Sequence, residues 1–321
     1  MDVANKRVLV TGGGGFLGKH IVEAFDKEGA ETTVVRSQAC DLTEPAQVLQ
    51  TFADWRPEFI VHAAADVGGI GYNRLYPADI FLNNMIMTIN VLRAAKEAQI
   101  EKMVIIGSAC GYPGEVDDLM MEDDFLEGHL HDSVECYGFS KRALLIGAKA
   151  FREQYGLNSI FLILTNLYGP LDKFDPRDSH VVAALIRKFV EAMKDGDPKV
   201  ECWGTGQPIR EFLYVKDCAE AVVRATRVYD KPAPLNIGTG IGTSIRQLSG
   251  LISEIVGYSG LVAWDPSKPD GAMRKVLDVT RMKAELAWEP RTSLRDGLRK
   301  TIDWYARAAR TCCSSVASTG P

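Results

Sequence analysis

A short apolar stretch that runs without a break into a cluster of glycines narrows the folds open to this chain more than any other feature. Arg7-Val8-Leu9-Val10 has the pattern of a buried strand, Thr11-Gly12-Gly13-Gly14-Gly15-Phe16-Leu17-Gly18 follows, and an amphipathic helix then runs to about Lys27. Strand, glycine turn and helix in that order form a dinucleotide-binding fingerprint. Glycines at 12, 15 and 18 allow a tight turn, close approach of a pyrophosphate to backbone N–H groups, and close packing of helix on strand. The turn as a whole, Gly12, Gly13, Gly14, Gly15, Phe16, Leu17 and Gly18, is therefore expected to contact a dinucleotide.

The strands that follow refine this. Thr32 to Val35 ends at Arg36-Ser37, where an NAD site usually has a carboxylate for the ribose hydroxyl. An arginine there suits a 2'-phosphate, which favours NADP(H) as cofactor, although a solvated strand end is the alternative reading of Arg36. Asp41 and Leu42 are placed to border the adenine. Glu58 to His62 reads as the next strand, and the small Ala63-Ala64-Ala65 at its end would let a cofactor lie close, with His62 expected to satisfy a local hydrogen bond. A long helix over Asp79 to Ala98, a strand over Met103 to Ile106, a helix over Gly138 to Phe151 and a strand over Ser159 to Thr165 continue the alternation. That order predicts an α/β fold, a Rossmann-type doubly wound parallel sheet.

After Asn166-Leu167-Tyr168-Gly169-Pro170 the pattern changes to a polar loop, a helix opened by His180, and shorter apolar segments. We expect a smaller C-terminal α/β substrate lobe. The expected division is a dinucleotide-binding domain over 1–166 plus about 211–243, a lobe over 167–210 plus 244–310, and a disordered tail over 311–321. The tail is small and polar with no apolar period.

A second constellation carries chemistry. The strand ending at Gly107-Ser108 is followed by Tyr137 and Lys141, which stand four residues apart and so share a helix face. A lysine charge beside the tyrosine is expected to lower its pKa from about 10, and the Ser108 hydroxyl could hold a substrate oxygen against it.

Composition excludes other classes. With 37 Lys plus Arg against 42 Asp plus Glu the net charge is -5, which gives no field for nucleic acid. No apolar run approaches the roughly 20 residues that span a bilayer. Seven cysteines show no metal-ligand spacing, so no metal is expected; their odd number and the lack of a signal peptide favour reduced thiols and a cytoplasmic location. The loop Ser267 to Gly271 with Arg274 and Lys275 is rich in cations, which could meet a diphosphate or simply be solvated.

Together these stretches resemble the extended short-chain dehydrogenase/reductase family. Val67-Gly68-Gly69-Ile70, Tyr76-Pro77-Ala78-Asp79, Ser108 to Pro113, Asp178-Ser179-His180-Val181, Trp203-Gly204-Thr205-Gly206 and Arg210-Glu211-Phe212-Leu213 are similar to its branch that epimerises and reduces GDP-linked 4-keto sugars. The resemblance implies conversion of GDP-4-keto-6-deoxy-D-mannose to GDP-L-fucose with NADPH. It implies Cys110 as base and His180 as acid for inversion at C3 and C5, and Tyr137 as acid in the reduction at C4, with Ser108 holding the oxygen. Lys141 would bind the nicotinamide ribose, and Ala63, Ala64, Asn166, Leu167 and His180 would also touch the cofactor. Lys188, Trp203, Arg210, Asp270 and Lys275 would contact the GDP moiety of the GDP-sugar substrate. A homodimer through the helices Asp79 to Ala98 and Gly138 to Gln154 is also implied.

Read without the family, Cys110 is a buried packing residue and His180 a helix-start residue. The chain departs from the branch at four places. Gly13-Gly14 stands where bacterial members carry His-Arg, Lys188 where an arginine is usual, Gly111 where a bulkier residue stands, and Cys136 where proline is common. Two other readings stand beside the first: a related GDP-sugar 4-ketoreductase or single-carbon epimerase acting on a different 4-keto sugar, and a non-catalytic NADP-binding protein.

Overall fold

A computed structural model describes residues 1–116, 118–176, 179–268 and 270–317. Asp178 and Pro269, which belong to the motifs above, lie outside the described residues, as do 318–321 and the side chains of 70 and 309–317. In chain order the elements are β1 (Arg7–Thr11), α1 (Phe16–Lys27), β2 (Glu31–Val35), α2 (Pro45–Trp55), β3 (Phe59–His62), α3 (Ile70–Leu75), α4 (Pro77–Glu97), β4 (Lys102–Ser108), α5 (Glu135–Tyr155), β5 (Ser159–Leu164) and β6 (Asn166–Tyr168). Then come α6 (Val181–Asp195), β7 (Lys199–Trp203), β8 (Ile209–Tyr214), α7 (Val215–Val228), β9 (Leu235–Ile237), β10 (Gly242–Ser244), α8 (Ile245–Val256), β11 (Leu261–Asp265), β12 (Arg274–Lys275), α9 (Thr280–Leu286) and α10 (Leu294–Ala317).

The main sheet has six strands in the order β2-β1-β3-β4-β5-β9, all paired in parallel. Its strands are apolar on both faces because both faces are covered. Val8 and Val10 of β1, Val104 and Ile106 of β4 and Leu162 of β5 pack on the side of α1 and α7. Leu9, Met103, Ile105 and Phe161, one residue out of step, pack on the side of α2, α4 and α5. This is the doubly wound α/β architecture expected. Because β1 pairs with both β2 and β3, the strand order reverses there, and a crevice opens at the carboxyl ends of the strands.

A second, smaller core lies between α6, α8 and α10 and the short strands. There β8 is flanked by antiparallel β10 and parallel β12, β6 runs parallel to β8, and β7 pairs with β11. The last helix continues to Ala317, into the stretch expected to be a tail, because the helical backbone begun at Leu294 runs on past Arg310. No described helix is long and apolar enough to cross a membrane.

Candidate active site

The turn after β1 is built as the fingerprint requires. Gly12 has φ 70°, and a Cβ there would stand 2.7 Å from the Ala64 backbone nitrogen. A Cβ on Gly18 would collide with the Gly12 carbonyl oxygen. Gly15 caps α1 with no side-chain hydrogen bond, and the first turn of the helix holds no acid, so its N–H groups are left for an anion. Gly13 is the exception to the expected contacts. It is buried, and its would-be Cβ points at Val34 and the Val10 carbonyl, away from the cleft, because the turn rolls it onto β2.

A cleft of about 1010 Å³ runs from this turn across the sheet ends. It is lined by Gly12, Gly14, Gly15, Phe16, Leu17, Gly18, Arg36, Asp41, Leu42, Ala63, Ala64, Ser108, Cys110, Tyr137, Lys141, Asn166, Leu167 and His180. Every expected cofactor-side residue except Gly13 is therefore in one cavity with the five residues expected to do chemistry. Arg36 is exposed beside Gly14, whose would-be Cβ comes no nearer than 3.7 Å to Cγ, and no ion pair to a described residue occupies the guanidinium. The Asp41 carboxylate accepts from the Thr43 N–H and hydroxyl, which hold its pKa down. An uncapped helix end, a glycine cradle and a free arginine at the end of β2 fit a nicotinamide dinucleotide bearing a 2'-phosphate.

At the other end, Ser108 closes β4 and accepts the Cys110 N–H at 3.2 Å. Tyr137 and Lys141 are both buried on α5. Burial pushes the tyrosine hydroxyl well above 10, nearby Cys110 adds to this, and a hydrogen bond with Ser108 opposes it. The four-residue spacing thus places the pair correctly, but the expected fall in the tyrosine pKa does not occur. The Lys141 Nζ lies over the tyrosine ring, 5.5 Å from its centroid, and donates to the Ile106 carbonyl at 2.9 Å. Lys141 is itself pushed down to about 8 by burial, which nearby Cys110 only partly offsets. His180 precedes α6 with its ring free of any capping bond. It is open to solvent within the cleft yet surrounded by protein, and burial, then Lys173, lowers its pKa.

The five residues expected to meet the nucleotide lie on the strands and helices around the smaller core and, for Asp270, in the loop before β12, at the Cys110 end of the cleft. Lys275 of β12 pairs in register with Arg210 of β8, and Cys110 stands close enough to Arg210 to favour its charge. Lys188 lies 5.7 Å from the centre of the Trp203 ring, which is 64% exposed. Asp270 is spent on Thr205: its carboxylate accepts the Thr205 N–H at 2.8 Å and hydroxyl at 2.7 Å. It fixes the turn after Trp203. Gly111 is explained by Phe125, whose ring fills the place a side chain would take.

Two acidic residues of the cleft were missed in the sequence. Asp66 follows the Ala63-Ala64-Ala65 stretch and accepts from the Tyr72 hydroxyl at 2.9 Å and Asn83 at 2.8 Å. Extending the strand-end rule one residue past Ala65 would have found it. Asp172 sits in a segment that reads only as polar loop.

Fold and site together define a dinucleotide-dependent enzyme that works at the carboxyl edge of a doubly wound sheet. The chain belongs to the NAD dependent epimerase/dehydratase family, whose model matches residues 8–238. GDP-L-fucose synthase 1 of Arabidopsis thaliana is 40% identical over 308 residues, 96% of this chain and 95% of that protein. Among solved structures, a GDP-6-OMe-4-keto-L-xylo-heptose reductase from C. jejuni superposes with a TM-score of 0.89 at 28% identity, covering 95% of this chain and 98% of that one. A GDP-L-fucose synthetase from Naegleria fowleri bound to NADP superposes at 0.86 and 26% identity, covering 96% of each chain.

Proposed function

We propose that this protein is an NADPH-dependent epimerase-reductase that converts GDP-4-keto-6-deoxy-D-mannose to GDP-L-fucose. The observation that carries the reading is the presence of a thiol, Cys110, and an imidazole, His180, in the same cleft as Ser108, Tyr137 and Lys141. A simple ketoreductase has no use for the first two. A ketone at C4 acidifies the hydrogens at C3 and C5, and inverting such a carbon needs one group to take the proton and another to return it from the opposite face. Cys110 is the base and His180 the acid. Tyr137, which burial keeps protonated, then gives its proton to the C4 oxygen while Ser108 holds that oxygen. Lys141 anchors the nicotinamide ribose. Bound NADPH supplies the hydride that reduces C4, and Arg36 selects it over NADH through the 2'-phosphate. Lys188, Trp203, Arg210 and Lys275 receive the GDP moiety, with Asp270 holding the turn beside them. The nucleotide domain comprises 1–166 and about 211–243, and the sugar lobe 167–210 and 244–310. The enzyme works in the cytoplasm as a homodimer through α4 and α5.

Turnover in deuterated water tests this. NADPH oxidation with deuterium at both C3 and C5 of the product is expected, and Cys110→Ser is expected to slow incorporation at least about a hundredfold. A second reading, a GDP-sugar 4-ketoreductase without epimerase action, draws support from the superposition on the C. jejuni heptose reductase. It predicts oxidation without label. Failure to oxidise NADPH with this ketone would rule out the first reading.

A further inference from the structure

Asp172 is a buried carboxylic acid that lines the cofactor cleft and has no task in the reaction above. It follows Leu171, held in the left-handed region at φ 71°. Two contacts fix this turn. The Asp172 N–H donates to the Gly169 carbonyl at 3.4 Å, and the Pro170 carbonyl meets Nε2 of His20 on α1 at 2.9 Å. The turn therefore lies against the helix whose uncapped N–H groups face the cleft. Oδ1 of Asp172 accepts the Lys173 N–H at 2.7 Å. Among the described residues, Oδ2 has no hydrogen-bond partner and the carboxyl has no ion pair.

The neighbouring charges do not change this. Among the described residues, Lys173 on the same turn is the only cation acting on the carboxyl electrostatically; Lys19 and His20 on α1, His180 before α6, and Asp66 and Lys141 across the cleft leave Oδ2 unpaired. Burial pushes the carboxyl up to about 7. Ionised, Oδ2 would repel a pyrophosphate seated on the α1 N-terminus. Protonated, it is a donor in a place where an anion needs one.

We propose that Asp172 is a cofactor-binding acid whose protonated carboxyl donates from Oδ2 to a phosphate oxygen of the dinucleotide, so that the protein takes up a proton when it binds NADPH. The proposal rests on the NADPH reading above, and binding alone, without turnover, separates the two.

The test is NADPH affinity of the full chain by fluorescence titration at pH 6 to 8, for the parent and Asp172→Asn. The carboxamide also donates but does not titrate, so the 2'-phosphate and other groups contribute equally to both proteins. The parent's Kd is expected to rise roughly tenfold relative to the variant's across this range. Calorimetry of the parent in buffers of different ionisation enthalpy provides a check that needs no variant: about one proton should be taken up at pH 8. A flat ratio with no proton uptake, or a ratio of parent to variant Kd that falls as pH rises, overturns the donor role. Absence of NADPH binding in both proteins at every pH overturns the cofactor reading itself, and this proposal with it.

Discussion

His62 ends β3 next to the cofactor cleft, and its position limits how far the protein tolerates acid. Its Nδ1 lies 2.8 Å from the Thr11 hydroxyl, the local hydrogen bond expected of it. Burial, and then the charge of Lys141, lower its pKa from 6.5 to about 3. Between those values the unfolded chain holds a proton that the folded chain cannot accept. Stability is therefore lost as pH falls from 6.5 toward 3, and above 6.5 this group has no effect. At pH 5 the loss is about 2 kcal/mol. His62→Asn, which keeps a polar partner for Thr11 and does not titrate, should remove that part of the slope. Urea unfolding of both proteins at pH 7 and pH 5 measures it: the parent should lose about 2 kcal/mol more than the variant on acidification. Equal losses would mean the imidazole is protonated in the folded protein. Burial and a neighbouring group also act together on Tyr137, where desolvation and then Cys110 raise the pKa and only the hydrogen bond with Ser108 opposes them. The tyrosine's contact with Lys141 is with the ring face, so nothing near the hydroxyl offsets desolvation strongly enough to lower its pKa.

Among the elements, α5 carries both Tyr137 and Lys141, and one glycine sets how closely its first turns approach the end of β4. The helix packs on the single turn Ala109–Gly111 that follows β4, and a Cβ on Gly138 would collide with the Cys110 carbonyl oxygen. Neither the helix nor a backbone carbonyl yields cheaply. Gly138→Ala should cost about 1–3 kcal/mol of stability. It should also move Tyr137 away from Ser108 and Cys110, lowering turnover by about a hundredfold while NADPH affinity changes little. Kinetics and a cofactor titration on the same preparation decide this; full turnover would show that the close contact does not position the tyrosine. This dependence on packing separates what the sequence made readable from what it hid. Strands β1 to β5 and helices α1, α4 and α5 were readable because each buries a regular apolar pattern of its own, as Met103 to Ile106 does, whereas α2 and α7 on the same sheet were not picked out. β6, β10 and β12 are only two or three residues long and exist by pairing with β8, a partner set by the tertiary fold. The cleft was largely readable, since its residues sit at strand ends and in the glycine turn. The inward roll of Gly13 and the burial of Asp172 depend on how distant segments pack, and no local spacing records them.

On the scale of the whole molecule, α4 and α5 pack side by side on the outside of the sheet, and their outer faces carry large apolar groups. Leu82 and Ile89 on α4 are 54% and 56% exposed, and Phe139 and Ile146 on α5 are 50% and 55% exposed. Each pair is seven residues apart, two helical turns, so each helix presents one continuous stripe. Phe81 and Phe139, with ring centroids 6.1 Å apart, bridge the two helices. Scattered single apolar side chains on a surface need no explanation, but a stripe shared by two adjacent helices is the form an isologous helix-pair interface takes. It lies on the outer faces of helices whose inner faces hold the cleft, so a partner would brace α5, and with it Tyr137 and Lys141, without closing the entrance. A homodimer built this way should be disrupted by one charge per stripe. The double variant Ile89→Asp with Ile146→Asp is expected to sediment as a monomer of about 35.3 kDa, where the parent is expected to sediment at twice that mass, and the exposure of both positions should keep the effect on folding small. Turnover should fall in the monomer, since α5 loses its support, while NADPH affinity, set mostly by the turn after β1, should change little. A parent that sediments as a monomer, or a variant that still dimerises, would remove this stripe as the interface.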